Sequence, residues 1–247
     1  MDKGIYVAMT GASATLQAQT AVAHNLANID TTGFKAALVQ TQPYAINGAG
    51  LPSRIDATLQ SGGFDDSPGP LLTTGNALDV AIKPGGWLAV QDSAGQEAYT
   101  RAGDLKVSIN GQLVTAGGHS VLGGGGPISV PPYQSISIAP DGTVSIVPQG
   151  QGPETQAIVG RLRVIQSNGA QLARGVDGLM RRTDGTTPDA LAGATLSSGT
   201  LEGSNVSPSD SLVGMIALSR RFDLQVQVLH KTDENAQAAN SMLRLGG

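Results

Sequence analysis

The sequence contains no cysteine. Neither a disulfide framework nor a thiolate metal site can be built from it. Aromatic residues make up only 3%, with one tryptophan, three phenylalanines and four tyrosines, so large aromatic anchors for a core are few. Charged residues are 14% and the formal net charge is −4, without the basic stripe of a nucleic-acid binder. No run reaches the roughly 18 apolar residues of a membrane-crossing helix. Ala12-Ser13-Ala14 has the look of a cleavage site, but one Lys and one Asp precede it and the apolar run Ile5–Met9 is short. A cleaved secretory signal is therefore not expected.

Side chains that commonly carry chemistry are also sparse. His24, His119 and His230 have no metal-ligand spacing and read as solvated or interface residues. A His119–Ser120–Asp104 triad can be drawn, but no nucleophile-elbow motif supports it. The run Gly123–Gly126 continues into Pro127 rather than Gly-Lys-Ser/Thr and a helix, so it reads as a β-domain loop and not a phosphate cradle. Asp65-Asp66 lacks the ligand spacing of a calcium loop and reads as a solvated turn. Arg161 and Arg163 sit at alternate strand positions and, with Arg181 and Arg182, read as a solvent face or a subunit contact. No catalytic, cofactor or metal site is expected.

What the chain does have is matching heptad patterns at its two ends. From Ser209 to Leu243, one column is Leu212, Ser219, Val226, Asp233, Asn240 and the other is Met215, Phe222, Leu229, Ala236, Leu243. Steps of three and four keep a narrow stripe toward a partner helix. Pro208-Ser209-Asp210 reads as the helix start. Such a helix is about 50 Å long at 1.5 Å per residue, so it needs a partner. Ile5, Met9, Ala12, Leu16, Gln19, Ala23 and Leu26 repeat the pattern near the N-terminus. Ser219, Asp233 and Asn240 either fix register in the seam or face solvent.

Between the ends the period changes to two. Leu78, Val80 and Ile82 alternate with Asp79 and Ala81. Asn110-Gly111 and Pro140-Asp141-Gly142 punctuate apolar alternations and predict hairpins, and Asn168-Gly169 a further turn. An antiparallel β domain is predicted over 76–184. Residues 31–75, with Pro43, Pro52, Pro68 and Pro70, and residues 185–204, rich in Gly, Ser, Thr and Ala, read as extended arms. Residues 1–30 with 205–247 are assigned to a terminal helical coiled-coil domain. The expected fold class is thus α+β: long N- and C-terminal helices forming a coiled-coil layer, with a central antiparallel all-β domain reached by extended arms.

Beyond the first helix runs His24-Asn25-Leu26-Ala27-Asn28-Ile29-Asp30-Thr31-Thr32-Gly33-Phe34-Lys35. This stretch closely resembles the signature of the flagellar basal-body rod and hook family. Gln60–Phe64, Gly69–Ile82, Leu201–Pro208, Arg220-Arg221-Phe222 and Asn240–Leu245 carry the same resemblance. His24 departs from a common Asn, and Trp87-Leu88 from a paired Phe. Length and the Gly123–Pro131 stretch resemble a proximal rod member, with a distal rod or hook-type protein as the alternative and a secreted β-rich enzyme or binding module as a remote one. The resemblance implies a structural subunit of a periplasm-spanning shaft that transmits torque to the hook. It implies partners in other copies of the chain, other rod proteins and the flagellar type III export apparatus, with neither nucleic acid nor membrane insertion. The expected assembly interface comprises Ile5, Met9, Ala12, Leu16, Ala23 and Leu26 on the first helix, and Asn25, Asn28, Thr32, Gly33 and Phe34 at its end. On the last helix it comprises Leu212, Met215, Phe222, Val226, Leu229, Ala236 and Leu243.

Overall fold

The computed structural model describes residues 3–45, 55–152 and 154–245. They fall into two compact units. One comprises Met1–Ala27, Ala37–Gly62 and Ser207–Gly247; the other comprises Asn28–Ala36 and Gly63–Val206.

In the first unit, helix α1 (Lys3–Ala27) and helix α2 (Pro208–Leu245) pack side by side. The start of α2 follows from three residues. Ser207 Oγ accepts the Asp210 N–H at 3.3 Å, Pro208 occupies the first helical position, and Asp210 lies in the first turn. A hydroxyl cap, a pre-set proline φ and an anion near the positive helix end each favour initiation there. Strands β1 (Ala37–Ala45) and β2 (Ile55–Phe64) form a two-stranded sheet. Asn25, in the last turns of α1, grips the start of β1 with both ends of its amide. Its Oδ1 accepts the Ala37 N–H at 2.8 Å and its Nδ2 donates to the Ala37 carbonyl at 3.0 Å.

The second unit is almost wholly strands. Its first part holds β3 (Leu71–Thr73), β4 (Val80–Ile82), β5 (Gly86–Gln91), β6 (Glu97–Thr100), β7 (Leu105–Val107) and β8 (Leu113–Thr115). Next come β9 (Ser120–Gly123), β10 (Gly126–Pro127), β11 (Tyr133–Ile138), β12 (Thr143–Pro148) and β13 (Ala157–Arg161). It closes with β14 (Val164–Gln166), β15 (Leu172–Arg174), β16 (Met180–Arg182), β17 (Leu196–Ser198) and β18 (Thr200–Glu202). The largest sheet runs β15-β16-β6-β5-β9-β8-β7, with β10 beside β9 and β14 beside β5. A second sheet is β11-β12-β13. The pairings described within this unit are antiparallel.

β5 is buried on both faces, and its alternation divides the core in two. Leu88 and Val90 enter a cluster with Val80, Leu113, Val121 and Val144. Trp87 and Ala89, on the opposite face, enter a smaller cluster with Phe64, Tyr99, Ile165 and Met180. Each fully buried Val or Leu contributes about 1.5–3 kcal/mol, so aliphatic side chains carry the larger cluster where aromatics are scarce. The Phe64 and Trp87 rings meet edge to face at 5.6 Å.

The expected coiled-coil layer is not formed. Among the described residues there are two long helices, one near each end, which make a single pair, and the other regular structure is almost wholly strands. The reason lies in the phase of the stripes. On α2 the half-buried positions include Ser211, Met215, Leu218, Phe222, Gln225, Leu229 and Thr232. This is still a three-four alternation, but the column of Leu212 is replaced by its neighbour, and Leu212, Ser219 and Asp233 are exposed. On α1, Ala12 is buried while Met9, Leu16 and Ala23 are exposed. The contact itself is small and polar: Thr15 Oγ1 lies 2.9 Å from Gln225 Oε1, and a Cβ on Gly11 would come within 3.1 Å of Gln225 Nε2. Of the long apolar knobs that a coiled-coil seam requires, Met9, Leu16 and Leu212 are exposed.

Short strands form within the expected extended arms and pair with one another or with the β domain. β3 pairs with β18 and β4 with β17, so chain near residues 71–82 is zipped to chain near 196–202. The part of the expected arm carrying Pro52 lies outside the described residues.

Candidate assembly site

Two features bear on the residues expected to act. The first is the turn after α1, Asn28–Ala36, within the β unit. Gly33 has φ +66° and donates its N–H to the Glu202 carbonyl at 2.7 Å. A Cβ there would stand 2.3 Å from the Arg101 carbonyl carbon. Glycine is thus required twice over, for a left-handed backbone and for close approach. Phe34 lies under the Arg174 guanidinium, whose carbon is 4.6 Å from the ring centroid, a cation–π arrangement. Arg174 Nη2 donates to the Lys35 carbonyl, and its Nη1 is buried without a hydrogen-bond partner.

Next to Phe34, Lys35 is only 1% exposed. Its Nζ donates to Ser67 O at 2.7 Å and to Glu202 Oε1 at 2.9 Å. Arg101 Nε and Nη2 donate to Glu202 Oε2 at 2.8 and 2.5 Å, and Arg101 also caps the Ile82 and Gly86 carbonyls. The Gly69 N–H completes the carboxylate's partners at 3.0 Å. Burial alone would raise the Glu202 pKa. The Lys35 ammonium, the Arg101 guanidinium and the Gly69 N–H outweigh it and hold the carboxyl below its ordinary 4.5. Charges this deep are tolerated only when paired and fully hydrogen-bonded. Gly69 is fixed by the same closure, since a Cβ on it would meet the Gly203 carbonyl oxygen at 2.1 Å.

The second feature is the outward surface of the helix pair. Leu212, Val213, Ile216, Leu224 and Val228 on α2 are each more than half exposed. Val213, Leu224 and Val228 lie on the side opposite Met215, Phe222 and Leu229, Ile216 flanks them, and Leu212, three residues before Met215, lies nearer the Met215 side. On α1, Met9 and Leu16 are about half exposed, at 53% and 47%. α2 thus exposes several large apolar side chains over its first six turns, interspersed with Arg220, Arg221, Asp223 and Gln227, and such a cluster marks a contact surface.

Of the interface residues expected from sequence, the structure exposes Met9, Leu16, Ala23 and Leu212, and half-buries Ile5, Leu26, Met215, Phe222, Val226 and Leu229. Ala12 is buried, and Asn25, Asn28, Thr32, Gly33 and Phe34 are half-buried around the end of α1 and the turn after it. The side chains of Ala236 and Leu243 lie outside the described residues.

The remaining chemical candidates are placed plainly. His24 and His230 are exposed on α1 and α2. His119 lies in the turn before β9, where its N–H reaches Thr115 Oγ1 at 3.3 Å. Gly124 and Gly125 form the turn of the β9–β10 hairpin. Asp65 Oδ1 accepts the Ser67 N–H at 2.9 Å as a local turn. Three of the four arginines are ion-paired, Arg163 with Glu97 at 3.1 Å, Arg181 with Asp92 and Asp177 at 2.7 and 2.6 Å, and Arg182 with Asp184 at 2.5 Å, while Arg161 Nε donates to the Asp141 carbonyl at 2.7 Å. Arg181 holds the Asp177 carboxyl down at about 2.

Asp104 behaves differently. Burial pushes its carboxyl above the ordinary 3.8, the Asp79 charge adds to the rise, and its Oδ1 has no hydrogen-bond partner. A raised carboxylate pKa means that the charged form costs the folded state stability at neutral pH. Asp104→Asn should therefore raise the urea midpoint at neutral pH, with the gain vanishing as pH falls below 3.8, where both states of the wild type are protonated.

Geometry and sequence together define a protein with one helix pair and an antiparallel β unit. Three family models match it: "Flagella basal body rod protein" over residues 5–35, "Flagellar hook protein FlgE/F/G D1 domain" over 81–146, and "Flagellar basal body rod FlgEFG protein C-terminal" over 197–242. The chain is 44% identical to the flagellar basal-body rod protein FlgF of Salmonella typhimurium, covering 99% of this chain and 100% of that one. It is 43% identical to FlgF of Escherichia coli over the same shares, and 32% identical to FlgG of Buchnera aphidicola over 98% and 100%. The chain belongs to the flagellar basal-body rod protein family, as a FlgF-like structural protein of the rod.

Proposed function

We propose that this protein is a subunit of the proximal rod, joining other copies of itself and other rod proteins in the periplasm-spanning shaft that carries motor torque to the hook. The observation that carries the reading is the apolar stripe on α2, Val213, Ile216, Leu224 and Val228, left exposed away from the half-buried Phe222 and Leu229. Head-to-tail contacts through unlike patches generate a helical filament rather than a closed ring, and a stripe on one side of a long helix suits such a contact. The rest of the proposal follows the family: passage through the flagellar type III apparatus without a cleaved signal, and a mechanical role without catalysis.

Ile216→Asp combined with Leu224→Asp tests it. Both side chains are exposed in the chain, so folding should change by only about 0.5 kcal/mol per site. In a subunit contact each would bury an unpaired charge. The expected result is unchanged thermal melting of the purified protein, absent swimming in soft agar, and basal bodies lacking a complete rod. Normal swimming with normal basal bodies would remove this stripe from the interface.

A further inference from the structure

The β unit receives the chain at Asn28–Ala36 and releases it at Val206, and these two ends are bonded directly to each other. The Gly33 N–H donates to the Glu202 carbonyl at 2.7 Å and the Asn205 N–H to the Phe34 carbonyl at 3.3 Å. The Ala36 N–H donates to Asn205 Oδ1 at 2.7 Å, while Asn205 Nδ2 reaches Asp65 O at 2.9 Å and Ser67 O at 3.1 Å. Behind this backbone contact sit Lys35, Glu202 and Arg101, each 2% exposed or less. Glu202 comes from the outgoing end, Lys35 from the incoming end, and Arg101 from the loop after β6 in the body of the unit.

We propose that segments 33–36 and 202–205 form a mechanical clamp, locked by the buried Lys35–Glu202–Arg101 charges. A pull that separates the two ends of the β unit meets these bonds first. The nine-stranded sheet lies between the ends along the chain, so it is shielded while the clamp holds. The ion cluster suits this role because short charge-assisted bonds from two cations converge on one carboxylate. Separating them exposes charges to a pocket that cannot solvate them until it opens. Arg101 also ties the cluster to the body through the Ile82 and Gly86 carbonyls, so the incoming and outgoing segments are anchored as well as joined. That force reaches these ends in service rests on the proposed rod function; the clamp itself is a property of the isolated chain.

The test is optical-tweezers pulling on the full chain through cysteines added at its termini, which are unique because the sequence has none. Glu202→Gln is compared with Val144→Ala, a truncation at a fully buried core position. Rupture forces of the β unit are scaled to each variant's loss of urea midpoint. The clamp predicts that Glu202→Gln lowers the force at least twofold more than Val144→Ala for the same loss of midpoint. Equal scaled losses would overturn it. Should Glu202→Gln not fold, Lys35→Met, which leaves the Arg101–Glu202 pair, is judged against Val144→Ala by the same criterion. A clamp confirmed in the isolated chain alongside normal swimming of the Ile216→Asp, Leu224→Asp variant would sink the assembly reading and leave the clamp standing.

Discussion

Gly33→Val is expected to prevent the β unit from folding. A valine Cβ would sit 2.3 Å from the Arg101 carbonyl carbon, 2.4 Å from its oxygen and 2.5 Å from the Ala102 nitrogen. These are backbone atoms, so no side-chain rotation relieves the clash. Arg101 cannot retreat without breaking its bonds to Glu202 and to the Ile82 and Gly86 carbonyls. The φ of +66° adds a second cost, about 1–2 kcal/mol for a residue with a Cβ and more for a β-branched one. The total should exceed about 4 kcal/mol, the range reached only when a named structural feature is destroyed. Gly85→Ala separates the two causes, because Gly85 has φ +78° with nothing within 4 Å of a Cβ. It should lose only the backbone cost. The measurement is urea unfolding followed by the fluorescence of Trp87. A Gly33→Val protein that unfolds within about 1 kcal/mol of Gly85→Ala would mean that the Arg101 contact yields.

Much of the architecture is legible along the chain where local chemistry decides it. Ser207-Pro208 sets the start of α2, and the alternation around Val80 and Leu88 marks strands. Gly142, at φ +88°, turns β11 into β12 as its Pro-Asp-Gly context predicts. Asn110-Gly111 also lies in a hairpin, though between strands ending at Val107 and resuming at Leu113, so the loop is longer than two residues. Helix periodicity was legible, but not its phase. A heptad pattern fixes a spacing, and on α2 both sides offer apolar residues at that spacing. In the structure Ser211 is half-buried and Leu212 exposed, and further along the same column Gln225 meets Gly11 and Thr15 of α1.

What periodicity could not show is pairing between distant short segments. β3 and β18 are three residues each, too short for alternation to register, and their Gly and Pro neighbours read as arm. Lys35 and Glu202 are 167 residues apart, and no spacing rule links them. A lysine after Phe34 and a glutamate before Gly203 look like surface charges, because lysine and glutamate are almost never fully buried unless paired. Only the fold brings the pair together, and Arg101 with it.

That cluster makes a specific statement about acid. Glu202 has a folded pKa below its ordinary 4.5. A depressed carboxylate contributes stability that is fully present above the unfolded value and is lost as pH falls through the folded one. Wild-type stability should therefore hold from neutral pH down to about 5 and fall below 4.5 as Glu202 takes up a proton in the unfolded chain first. Protonation in the folded state then leaves Lys35 and Arg101 buried against a neutral acid. Glu202→Gln imposes that condition at every pH. Breaking a buried ion pair by removing one partner costs about 3–5 kcal/mol, so the variant should be less stable at neutral pH by that order. Its acid limb should also be shallower than the wild type's. It should not vanish, because Asp92, Asp141, Asp177 and Asp184 are likewise depressed by their hydrogen bonds to Arg181, Thr143, Arg181 and Arg182. Asp104, raised by burial, works in the opposite sense and partly offsets them. The measurement is urea unfolding at a series of pH values for both proteins, followed by Trp87, the only tryptophan, which lies 5.7 Å from the Arg101 guanidinium carbon. Curves that differ at neutral pH and converge below 4.5 are the expected outcome. Curves that stay parallel over the whole range would show that Glu202 is not the carboxylate whose protonation weakens the β unit.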